Sequence, residues 1–106
     1  NEVKIGMTMH HVGITLAQDR LGKAAFQRSV INAEMFNPQG AMEAGFLDKV
    51  VAVEQLMPTA LAVAQEFKKL NMSAHKNTKL KVRKALLDTM DRSIALDKQT
   101  GLTTGD

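Results

Sequence analysis

The sequence predicts a mainly α-helical chain with at most one or two short strands. Three observations carry this. Apolar residues recur at three- and four-residue spacing in several stretches. Gly, Asn and Pro fall where helices should start or stop. The 106 residues include seven Met, no Trp, no Tyr and only 4% aromatics, a composition that suits helices around an adaptable aliphatic core.

Taken in order, residues 2–9 alternate weakly, with Val3, Ile5 and Met7 opposite Glu2, Lys4 and Thr8, and Gly6 interrupts them. They read as an extended segment or a turn leading into a helix. Val12 to Arg20 carries an apolar stripe of Val12 and Leu16, and Leu21-Gly22 ends it. Lys23 to Glu34 reads as a second helix, with Ala25, Phe26, Val30 and Ile31 apolar. Asn37 is a good N-cap with Pro38 at the first helical position, and the short helix that follows stops at Gly45. Phe46 to Val51 is the best strand candidate, being short and β-branched at its end. Glu54 to Leu70 repeats Leu56, Met57, Ala60, Leu61, Ala64 and Phe67 at helical spacing. Ser73 is the expected cap of a last helix, Ala74 to about Asp97, with Val82, Ala85, Leu86, Met90 and Ile94 on one stripe. The tail from Gln99 is polar and expected to be loose. A lone strand cannot satisfy its edges. The chain is therefore expected to be the middle of a protein whose other strands lie upstream.

Composition narrows the function classes. The hydrophobic fraction of 44% is that of a globular chain. Without cysteine there is no disulfide framework and no thiolate metal site, which fits a cytoplasmic protein. No run approaches the roughly 18 continuous apolar residues of a membrane span, so no membrane partner is expected. The net charge is only +3, but Lys76, Lys79, Lys81, Arg83 and Lys84 crowd together. Such a stripe is a solvated helix face or a phosphate-binding edge. Few aromatics and no recognition motif argue against a nucleic-acid binder.

Groups able to do chemistry are few. Adjacent His10 and His11 point apart on a helix or strand, and His75 sits among lysines, so no metal site is expected. Ser29, Ser73 and Ser93 lack a nucleophile-elbow setting, and the scattered glycines make no phosphate loop. Glu2 stands out because its neighbours are mostly apolar. Desolvation there would raise its pKa and suit it to proton transfer near neutral pH.

Three stretches resemble the crotonase family of enoyl-CoA hydratases and isomerases. Asn1-Glu2-Val3-Lys4-Ile5-Gly6-Met7 is similar to the family's x-Glu-(Val/Ile)-x-(Leu/Ile)-Gly run. Pro38 to Val51, and within it Ala41, Gly45, Phe46, Leu47, Asp48, Val50 and Val51, resembles its A-x-x-A-x-x-x-Gly-Leu-Val-Asp-x-Val-Val block, with Pro38 in place of the leading Ala. Glu54-Gln55-Leu56 and the helix carrying Lys79 and Lys84-Ala85-Leu86 look like its two late helices. The resemblance runs from residue 1 to about residue 96.

The resemblance implies the C-terminal helical part of a crotonase-like ββα superhelix. Residues 1–52 would end the core, 53–98 would form a helical oligomerisation region, and 99–106 a flexible tail. It implies an acyl-CoA thioester substrate, no separate cofactor, and a homo-oligomer, a trimer or dimer of trimers. Two backbone N–H donors would hold the thioester oxygen as an enolate forms, and Glu2 matches the second of two catalytic Glu residues. The first Glu and both donors lie upstream in the family, so this chain alone is expected to be inactive. Gly6, Met9 and His10 fall beside the acyl site, and Lys79 and Arg83 become candidates for the CoA phosphates. Where hydratases carry Pro-Gly-x-Gly-Gly-Thr, this chain has Met9-His10-His11-Val12-Gly13-Ile14, which leaves the reaction branch open and puts bulkier side chains near the acyl pocket. The alternative is a structural trimerisation module with no catalytic role of its own.

Overall fold

A computed structural model describes residues 1–100. All its regular elements are helical: a 3-10 turn Val3–Ile5, α1 His11–Arg20, α2 Lys23–Phe26 running into a π-helical segment Gln27–Ile31, α3 Pro38–Ala44, a 3-10 turn Val53–Gln55, α4 Leu56–Phe67, α5 Met72–Val82 and α6 Lys84–Thr100. Among the described residues no strand forms. The strand expected over 46–51 is an irregular segment instead, as follows from its having no neighbouring strand to complete a ladder.

The first and last helices form the centre of the molecule. α1 lies along α6. Between them the Thr15 and Ser93 hydroxyls meet at 2.6 Å, both buried. The Asp97 carboxylate accepts from the backbone N–H groups of His11 and Val12, each at 2.8 Å. It thus caps α1 from the far end of the chain, supplying acceptors to the orphan donors of a helix start. The inward face of α6 keeps Leu86 and Met90 of the expected apolar stripe but continues through Ser93 and Asp97, while Ala85 and Ile94, and Val82 at the end of α5, are exposed.

A second, smaller centre joins α2 and α3. Leu21, Ala25 and Ala44 are its buried core, with Ala17, Phe26 and Phe36 against them. Asn37 caps α3 as its type and position predict, its side-chain oxygen accepting from Gly40 N–H at 2.7 Å. Gly45 closes α3 at φ +106°, and a Cβ there would lie 3.0 Å from the Arg20 carbonyl oxygen. Only glycine allows both the left-handed turn and that approach. Gly22 N–H donates to the Ala44 carbonyl, and Arg20 pairs with Asp48 at 2.8 Å, so the end of α1 is tied to the end of α3.

The later helices depart from the sequence reading in two places. The single long last helix is broken at Arg83 into α5 and α6. Asn71, not Ser73, caps α5, accepting from Ala74 N–H at 2.9 Å. Gln99 and Thr100, expected in a loose tail, continue α6; the rest of that expectation lies outside the described residues. α4 packs closely only on the turn that leads into it, which leaves its apolar residues exposed.

Candidate active-site cleft

The sharp turn at the start of the chain sets the position of Glu2. Met7 N–H donates to the Glu2 carbonyl at 2.8 Å, and Gly6 closes the 3-10 turn at φ +82°. The backbone then extends through Met9 into α1, so Glu2 and Met9 reach the same side of that helix. There they line a cleft of about 800 Å³, within the size range of small-molecule sites.

Leu16 and Ala17 of α1, Val30, Phe46, and Leu86, Leu87 and Met90 of α6 make the cleft's apolar wall. Leu16 is exposed because it faces this space rather than a packed neighbour. Ser29 and Val30 come from the π-helical segment. Its wider turn carries one extra residue against the cleft, a distortion often found at functional positions.

Charged groups line the same cleft. Glu2, Asp19, Arg20 and Arg83 are among its lining residues. Arg20 is held by Asp48. Arg83 makes no ion pair among the described residues. Lys79 stands one turn before Arg83 on α5 and does not line the cleft. Lys84 is engaged by Asp88 at 2.7 Å.

Glu2 does not have the raised pKa that its apolar neighbours suggested. The terminal ammonium of Asn1 donates to its carboxylate at 2.9 Å, and with the backbone N–H of Glu2 itself holds it below the ordinary carboxylate value, outweighing desolvation.

The other predicted site residues divide. Met9 and Arg83 join Glu2 at the cleft, whereas Gly6 and Lys79 stand outside it. His10 is the residue before α1, and its ring packs beside Gly13 rather than lining the cleft. Sequence reasoning missed Asp19, Arg20 and Ser29, which stand in no motif, and Phe46, which stands in the Pro38–Val51 block without any sign there of a place at the site. A π-helical turn leaves no periodic signal, and Phe46 was assigned to a strand. Among the described residues no cluster of His, Asp or Glu could hold a metal ion, and no helix is long and apolar enough to cross a membrane.

The helices and the cleft between them are those of a crotonase-type fold, seen here as a helical portion. An enoyl-CoA hydratase/isomerase family protein from Pseudomonas syringae is 72% identical, with a TM-score of 0.90 over 93% of this chain and 43% of that one. An enoyl-CoA hydratase from Mycobacterium marinum is 32% identical, with a TM-score of 0.89 over 97% of this chain and 45% of that one. An enoyl-CoA isomerase from Mycobacterium tuberculosis is 35% identical, with a TM-score of 0.85 over 90% of this chain and 42% of that one. The chain belongs to the enoyl-CoA hydratase/isomerase family, whose model matches residues 1–105. It spans less than half the length of these solved relatives. No curated protein matches it.

Proposed function

We propose that this chain supplies the acid/base carboxylate and one wall of the acyl pocket in an enzyme acting on acyl-CoA thioesters by enoyl-CoA hydration or isomerisation. The observation that supports this is the meeting of Glu2, an apolar wall and Arg83 around one cleft. An acyl chain suits the apolar wall. Glu2 takes or returns the proton at the α-carbon as charge builds on the thioester oxygen. Arg83, with Lys79 on the same face of α5, offers charge to the CoA phosphates. The donors that hold the thioester oxygen, and a second carboxylate for water, would come from the part of the relatives that this chain does not match. On this reading the chain alone does not turn over substrate. The absence of cysteine suits the reducing cytoplasm, where we place the protein.

The test joins this chain to the N-terminal portion of the Pseudomonas syringae relative and follows crotonyl-CoA hydration and enoyl-CoA isomerisation. Glu2→Gln should lower kcat by about a hundredfold or more, the usual worth of a positioned acid/base group. An unchanged rate would remove Glu2 from the mechanism.

A second reading, an assembly module, is favoured by one observation. Leu56, Met57, Leu61 and Phe67 of α4 are all exposed, an apolar surface of the kind that marks association. In the joined protein the two readings are compatible, with a trimer the expected assembly.

A further inference from the structure

Gly13 sits inside α1, where glycine costs about 1 kcal/mol relative to Ala, so helix formation does not explain it. Its surroundings do. A Cβ built there would overlap the Met9 Cε methyl and lie 2.9 Å from His10 Cε1. In a helix the side chain of each residue covers the turn on its N-terminal side, and at position 13 that space is already filled by Met9 and the His10 ring. The bare glycine is therefore a seat for the Met9 thioether. Met9 and Gly13 both line the cleft beside Glu2. Methionine is unbranched and flexible, so the methyl that rests on Gly13 is a wall able to shift, with the His10 ring flanking it.

We propose that Met9, seated on Gly13, determines how long an acyl chain the cleft accepts. This rests on the acyl-CoA reading above and names the residues that set its specificity. With its seat intact, Met9 lies back against α1 and the cleft keeps its depth. A methyl group at position 13 pushes the thioether out of its seat into the cleft and shortens the space. Removing the Met9 side chain deepens it. A small change of volume in an apolar pocket discriminates between chain lengths strongly enough to read in binding.

The experiment is calorimetric titration of this chain, joined to the N-terminal portion of the Pseudomonas syringae relative, with butyryl-, octanoyl- and dodecanoyl-CoA, with far-UV circular dichroism to confirm that each variant is folded. Gly13→Ala should weaken dodecanoyl-CoA by about tenfold and leave butyryl-CoA within about twofold. Met9→Ala should shift preference the opposite way, and Met9→Leu should keep the parent profile. Should Gly13→Ala fail to fold, the Met9 variants carry the test. Equal changes at all three chain lengths would overturn the proposal and leave the acyl-CoA reading standing. Neither binding nor turnover would overturn both.

Discussion

The Thr15 and Ser93 hydroxyls are each other's buried partner, so their energetics are asymmetric. Removing one leaves the other unsatisfied, which costs about 1–3 kcal/mol, whereas removing both is close to neutral. Thr15→Val and Ser93→Ala should each lower the urea midpoint, and the double variant should recover most of the loss. A double-mutant cycle by chemical denaturation measures this coupling. Asp97 makes a pH-dependent contribution. Desolvation pushes its carboxyl up, but the Val12 and His11 backbone N–H groups and the charges of His11 and His10 outweigh it, and its pKa lies below the ordinary value. The unfolded chain then binds the proton more readily. The stabilisation is complete above the ordinary carboxylate range and is lost as pH falls through that range and below it. Between neutral pH and pH ~3 the parent should lose more stability than Asp97→Asn, seen in denaturation midpoints at each pH. Neither contact was legible in the sequence. The partners lie 78 and 86 residues apart, and hydroxyls and carboxylates carry no mark of a distant mate. Asn37 and Gly45 were legible because their partners are within one turn.

At the scale of elements, the local signals located helices well and their ends less well. α1, α3 and α4 stand where periodicity and stop signals put them. The face of α6 was misjudged because apolar spacing points to Ile94, while tertiary hydrogen bonding turns Ser93 inward. The cap of α5 separates two readings. Asn71→Ala should cost about 1 kcal/mol, the usual worth of an N-cap, and Ser73→Ala should stay within about 0.5 kcal/mol. Thermal melts of the two variants decide between them. The candidate site was half legible. Glu2, Met9 and Arg83 were named from a motif and its surroundings, but the elements that bring them to one cleft meet only through the packing of α1 on α6.

For the whole molecule, the radius of gyration is 16.9 Å, against roughly 13 Å for a compact domain of this length. Among the described residues no large side chain is fully buried, and Leu61 and Phe67 of α4 are 57% and 58% exposed. Apolar surface of this extent favours association. In sedimentation velocity the chain should run larger than a monomer, and Leu61→Glu with Phe67→Glu should shift it toward one. A clean monomer in the parent would count against the assembly reading.

The clasp that Asp97 places on α1 also orders events in time. The acceptor for the start of that helix lies 86 residues further along the chain, so during synthesis α1 waits, uncapped, until Asp97 has emerged. A nonsense codon between α1 and position 97 would remove that support, and its damage would appear at the start of α1, near Glu2, rather than where the polypeptide stops.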